Sequence, residues 1–186
     1  MARTPTTAIP LGFTAPDFTL PDAVSGQSLT RSALMAGGPT VVVFMCNHCP
    51  FVVHILPGFV ALAKEYMAKG VNVIAISSND VAGYPMDGPD HMSALAEQFD
   101  FGFPYLYDES QEVARAYEAA CTPDFSIFDA HQRCVYRGQF DGARPGNDIP
   151  VTGHDMRKAL DILLSGGTPS EEGQIPSLGC NIKWKA

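Results

Sequence analysis

The chain has 186 residues and a mass of 19.9 kDa, about the size of one domain, and its 46% apolar and 17% charged residues exclude disorder as a description of the whole. With 12 Lys and Arg against 20 Asp and Glu, the net charge of -8 has the wrong sign for condensing onto nucleic acid. The densest apolar run, residues 41–46, is far too short to span a bilayer, and Arg3 is followed by no apolar stretch before Pro5 and Pro10, so no membrane partner and no secretory signal are expected.

A cytoplasmic location follows as an expectation, and with it five largely reduced cysteines. A cysteine pair that matters in such a chain is catalytic, sensing or metal-bound rather than a structural disulfide.

Residues 1–40 carry short alternating pieces around Phe18 and Leu20 and a turn at Ser25-Gly26-Gln27, which predicts an N-terminal hairpin extension. Val41 to Met45 is apolar without alternation, as in a central strand buried on both faces. From Pro50, the apolar positions Val53, Leu56, Phe59, Val60, Ala63, Tyr66 and Met67 recur at helical spacing up to Gly70, with Pro57 expected to kink the helix. Residues 71–77 read as a second buried strand, 80–90 as a loop, and 91–99 as a helix capped by Asp90.

A strand at 103–107, a helix at 111–120, a break at Thr122-Pro123 and a hairpin of 124–128 with 134–140 follow, then a helix at 152–164. Residues 166–186 form a C-terminal tail in which Ile182 and Trp184 alternate with Lys183 and Lys185, a pattern suited to an added edge strand. Early β/α alternation and a late antiparallel hairpin predict one α/β domain over 1–186, a mixed sheet with helices on both faces.

Cys46-Asn47-His48-Cys49-Pro50 places two thiols two residues apart where a buried strand meets a helix N-terminus. Unpaired amides of the first helical turn favour a thiolate there. The expected chemistry is thiol-disulfide exchange, with Cys46 attacking, Cys49 resolving, and His48 tuning the potential by charge or hydrogen bonding. Asn47 is an accessory position between them. The other reading of the pair is a metal carrier or redox sensor that adds His48 or His54, since soft thiolates select Cu(I) or zinc, although no second pair stands at zinc-ligand spacing.

Thr122-Pro123 gains weight from its place at the entry to a late strand. A proline at this point is similar to the one that thioredoxin-like folds keep cis and facing the cysteine pair, a resemblance that implies the residue before it would offer its backbone to an extended substrate.

At these points the sequence resembles the thioredoxin-like superfamily and, within it, the peroxiredoxin-like group of AhpC/TSA type. Gly12 to Leu20 looks like that group's N-terminal signature. Similarity to a subgroup carrying a C-x-x-C motif extends through 46–50, Ser77-Ser78-Asn79-Asp80, 121–124 and 179–185. The resemblance implies a thioredoxin-like fold and a redox enzyme without a bound cofactor. Its substrate would be a protein or small-molecule disulfide, and its reductant a thioredoxin or glutathione system.

The resemblance also implies an alternative, an antioxidant thiol peroxidase with Cys49 at the peroxidatic position. Two departures weigh against it. The family's P-x-x-x-T-x-x-C loop would put Val42 in the Pro slot and Cys46 in the Thr slot, and no arginine stands near Thr122 to polarise a peroxide. A thioredoxin's buried acid is also missing from Val41 to Phe44. Of the remaining cysteines, Cys134 is expected to pack as a small hydrophobe, Cys121 to pack or to lie within reach of Cys46, and Cys180 to anchor the tail or resolve as a further thiol. Asn79 and Asp80 are expected to cap a loop or to line the site.

Overall fold

The computed structural model describes residues 3–186, so the first two residues of the expected 1–40 extension lie outside the described residues. In chain order it contains β1 (Arg3–Pro5), β2 (Thr19–Pro21), β3 (Ser28–Thr30), α1 (Arg31–Leu34), β4 (Thr40–Phe44), α2 (Pro50–Met67), β5 (Asn72–Ser77), α3 (Pro89–Gln98) and β6 (Tyr105–Tyr107). These are followed by α4 (Glu112–Ala116), β7 (Cys121–Thr122), β8 (Asp124–Phe128), β9 (Cys134–Arg137), α5 (His154–Leu164) and β10 (Leu178–Asn181).

The main sheet has the order β6-β5-β4-β8-β9, parallel across β4, β5 and β6 and antiparallel from β4 to β8 to β9. This is the α/β thioredoxin-like arrangement with a central mixed sheet. β4 lies in the middle, and its side chains alternate between two cores, which is why its sequence shows no polar alternation. Val41 and Val43 pack in one core with α2 and α5, while Val42 and Phe44 pack in the other with α4 and the hairpin of β2 and β3.

β4 delivers the chain directly to the cysteine pair. Cys49 is the N-cap of α2 and Pro50 its first residue, where a missing amide costs no helical hydrogen bond. The helix runs unbroken through Pro57 and stops before Gly70, whose φ of 89° suits only glycine comfortably.

Several elements differ from the sequence expectations, three of them for an identifiable reason. α3 is capped by Gly88 rather than Asp90, because Pro89 fits the first helical position and draws the start forward, leaving Asp90 in the first turn. α4 is shorter than 111–120, bracketed by positive φ at Gln111 and Glu118. The third difference matters most for the site. β10 is not an edge strand but the middle of a second sheet of order β1-β10-β7, so both its neighbours come from distant parts of the chain. Among the described residues, no helix is long and apolar enough to cross a membrane.

Candidate active site

The end of β4, the start of α2, the loop after β5 and the β7-β8 junction meet at the two cysteines. Cys46 and Cys49 are both free thiols and both buried. The Thr122-Pro123 peptide is cis. Thr122 touches both sulfurs: its Oγ1 lies 3.6 Å from Cys46 Sγ, and its carbonyl accepts from the Cys49 thiol at 3.1 Å.

The buried carboxylate that β4 lacks arrives from elsewhere. Asp87, in a short 3-10 turn at Pro85–Asp87, is fully buried and takes four hydrogen bonds. The Asn47 and His48 amides donate to its Oδ1 at 2.9 and 3.3 Å. Asn79 Nδ2 and His48 Nδ1 reach its Oδ2 at 2.8 and 2.7 Å. One side chain therefore fixes both residues between the cysteines. Asn47 is held further by its own donation to the Met86 carbonyl and by the Tyr105 hydroxyl, which donates to Asn47 Oδ1 at 3.0 Å.

His48 lies between this carboxylate and the first cysteine. Its Nδ1 is 2.7 Å from Asp87 and 4.0 Å from Cys46 Sγ, so the carboxylate holds the ring and the sulfur is its more distant neighbour. Tyr84 stacks on the ring at 5.3 Å, and Lys183 Nζ lies 5.6 Å from the Tyr84 ring centre.

The pair holds its charge unequally. The hydrogen bond from Cys46 pulls the Cys49 thiol down, to about 4; burial opposes this, while Thr122, the Val52 amide of the first helical turn and Cys180 assist it. Cys46 is pushed up, first by donating to Cys49, then by burial and the nearby Asp87 charge. The two sulfurs thus share one proton. Moving it along the existing S-H···S contact puts the charge on Cys46, beside the Thr122 hydroxyl, and leaves Cys49 donating to the Thr122 carbonyl. Burial pushes Tyr105 well above its ordinary value, so it stays a donor to Asn47.

The other sequence candidates separate clearly. Cys121 does not reach Cys46, because alternation along β7 turns it to the opposite side from Thr122; its thiol lies 3.6 Å from the Pro123 carbonyl and 3.9 Å from Asp124. Cys134 is buried, bonded at 3.5 Å to the Tyr136 carbonyl and pushed up to about 12 by burial. Cys180 sits opposite Thr122 in the β10-β7 register and contacts Cys49. The β7 edge offered to an extended substrate at Thr122 is therefore already paired by the chain's own tail. Asn79 lines the site through Asp87, whereas Asp80 caps its loop at the Ala82 and Gly83 amides.

Cys46, His48 and Asp87 could converge on a metal ion, their ligand atoms lying within 4.8 Å of one another; His54 is not among them. The short His48-Asp87 bond already occupies two of the three. Tyr84, Asp87 and Tyr105 escaped sequence reasoning. Only Asp87 leaves a trace there, as an acid in a loop expected to be featureless.

The family model for AhpC/TSA matches residues 11–140, well over half of the chain. The chain belongs to the AhpC/TSA family. An uncharacterized conserved protein from Geobacillus kaustophilus is 51% identical, with a TM-score of 0.96 over 100% of this chain and 97% of that one. A hypothetical protein from Sinorhizobium meliloti 1021 is 46% identical, with a TM-score of 0.95 over 98% and 99%.

More distant structures share the fold. A peroxidoxin, BcpB, from Mycobacterium tuberculosis is 22% identical, with a TM-score of 0.63 over 83% of this chain and 96% of that one. A thiol:disulfide interchange protein DsbE from Chlorobium tepidum, so described provisionally, is 20% identical, with a TM-score of 0.64 over 84% and 99%. No curated protein matches the chain. Within this AhpC/TSA protein, Arg137 is buried. Its guanidinium is spent on the carbonyls of Thr7, Tyr117 and Glu118 and on Ser126, not on either site sulfur.

Proposed function

We propose that this AhpC/TSA protein is a thiol-disulfide oxidoreductase working through a Cys46-Cys49 dithiol/disulfide couple. The observation that carries the reading is the pair of buried free thiols at the start of α2, with Thr122 Oγ1 3.6 Å from Cys46 Sγ and the Thr122 carbonyl accepting from Cys49 at 3.1 Å. In the forward reaction the Cys46 thiolate, formed by passing its proton to Cys49, attacks one sulfur of a disulfide substrate and expels the other as a thiolate. Cys49, giving up its proton, attacks Cys46, releases the second thiolate and closes the Cys46-Cys49 bond. An external dithiol or glutathione-type reductant then returns two electrons and restores both thiols.

Asp87 positions the Asn47-His48 segment and supplies the negative charge that keeps Cys46 protonated until its proton moves to Cys49. Thr122 holds whichever sulfur carries the proton or the charge.

A second reading, peroxide reduction through Cys49, draws support from the depressed Cys49 pKa at a helix N-terminus. Against it stand a cysteine in the family's threonine slot and the engagement of Arg137 elsewhere, which leave a developing O-O charge without polarising donors.

Reduction of 2-hydroxyethyl disulfide, reduction of insulin and consumption of hydrogen peroxide, measured side by side with wild type, Cys46→Ser and Cys49→Ser, separate the two. The oxidoreductase reading expects disulfide reduction to fall at least 100-fold in both variants and peroxide turnover to be slow in wild type. Fast peroxide turnover that survives Cys46→Ser and is lost in Cys49→Ser would replace it with the peroxidase reading.

A further inference from the structure

The mechanism just given uses two thiols, yet the site holds three. Cys180 of β10 is buried and paired in register with Thr122, whose carbonyl accepts from the Cys49 thiol at 3.1 Å, and it helps to pull that thiol down. A thiol packed only for its volume behaves like Cys134, whose sulfur meets a carbonyl in a strand hairpin. Cys180 instead lies across the strand pair from the residue that touches both site sulfurs.

The surrounding structure is built to hold it there. β10 is pinned between β1 and β7, with Arg3 opposite Cys180 on one side and Thr122 on the other. A Cβ at position 179 would collide with the Thr122 carbonyl oxygen, so the approach of the tail to the active-site backbone needs the glycine that precedes Cys180. Beyond Cys180 the chain is fastened by two buried polar side chains. Lys183 donates its amide to Asn79 Oδ1 at 2.9 Å, and Lys185 donates to Gln111 Oε1 at 2.8 Å. Gln111 Nε2 returns a bond to the Lys183 carbonyl at 2.8 Å, and Arg115 lies over the Trp184 ring at 4.4 Å. Asn79 also bonds Asp87, so one side chain links the tail to the carboxylate that sets the active loop.

We propose that Cys180 is a third redox thiol that takes over the oxidised state of the pair, by attacking Cys49 within the Cys46-Cys49 disulfide. This rests on the oxidoreductase reading. The step is an isomerisation: the Cys46-Cys49 bond breaks, a Cys49-Cys180 bond forms, and the proton lost from Cys180 ends on the departing Cys46 sulfur, with no change in the number of electrons. Cys46 is thereby freed, as a thiol, for a second disulfide substrate, and the oxidised state becomes a covalent link between α2 and the C-terminal strand. The Asp87 charge beside Cys46 favours protonation of the leaving sulfur and so favours the exchange.

The test uses the full-length chain. Cys46→Ser is oxidised with glutathione disulfide, quenched with acid and N-ethylmaleimide, digested without reduction and mapped by mass spectrometry. The expected result is a peptide pair joined through Cys49 and Cys180, at least tenfold more abundant than Cys49 carrying glutathione. Cys49 held as the glutathione adduct with Cys180 fully alkylated would overturn the proposal. If the circular dichroism of Cys46→Ser departs from wild type, oxidised wild type decides: a Cys49-Cys180 peptide pair supports the third thiol, and its absence overturns it. The Cys46-Cys49 pair in the same wild-type digest reports separately on the oxidoreductase reading. Its presence without any Cys49-Cys180 link leaves that reading standing and removes only the third thiol, while the absence of both links removes both.

Discussion

Asp87 concentrates the electrostatics of the site in one side chain. Four donors converge on it, two of them backbone amides of the segment between the cysteines. Removing the carboxylate in Asp87→Ala strands those buried donors, and at roughly 1–3 kcal/mol for an unsatisfied group the loss is expected to be about 3 kcal/mol, read as a fall in the denaturant midpoint of the reduced protein. Asp87→Asn retains an acceptor but removes the charge that pushes Cys46 up. Cys46, followed by peptide mapping, should then alkylate at lower pH than in wild type; an unchanged profile would show that the charge does not govern this sulfur. The cysteine pair was legible because strand-then-helix patterning surrounds it within a few residues. Asp87 was not, since it lies about forty positions further on, in a stretch whose Gly and Pro residues announce only a loop. What brings it back is the pairing of β5 beside β4, a contact that no local pattern encodes.

At the scale of elements, β10 ties the tail to the catalytic segment. Gly179→Ala would drive a methyl group into the Thr122 carbonyl, a backbone atom that cannot step aside as a side-chain tip would. The expected outcome is a cost of about 1–3 kcal/mol, as for overpacked cores, together with faster amide exchange across 178–185 and faster alkylation of Cys180. Exchange rates in that segment equal to those of wild type would mean that β10 does not depend on this close approach. The alternation of Ile182 and Trp184 with lysines signals extended structure in the tail but names no partner strand. It therefore led to an edge position, whereas the observed strand covers Leu178–Asn181 and is paired on both sides. The start of α3 was missed for a more local reason, the preference of Pro89 for the first helical position over capping by the Asp90 side chain.

For the whole molecule, the order of strands and helices was readable, because β-branched runs buried on both faces and amphipathic helices carry their own periodicities. The joining of the two ends of the chain through β1 and β10 was not. Redox state and pH are coupled across the entire fold through the two sulfurs. Cys49, depressed to about 4 from an ordinary thiol near 8.5, contributes stability that is complete above the ordinary value and lost as pH falls through the folded one. Cys46, raised, works with the opposite sign, and its cost grows as pH climbs past the ordinary thiol range. The disulfide form has neither ionisation, so the reduced protein should lose stability relative to the oxidised one between pH 8 and pH 5, measurable as converging or crossing urea midpoints. A gap independent of pH would contradict the shift. The most direct test of the shared proton is the midpoint potential of the Cys46-Cys49 couple, titrated between about pH 7 and pH 8. A reduced pair that keeps one proton for two electrons gives a slope of about 30 mV per pH unit, and a pair of ordinary thiols that keeps two gives about 59 mV. The smaller slope is the predicted result, and the larger one, or the absence of a titrating couple, contradicts the account.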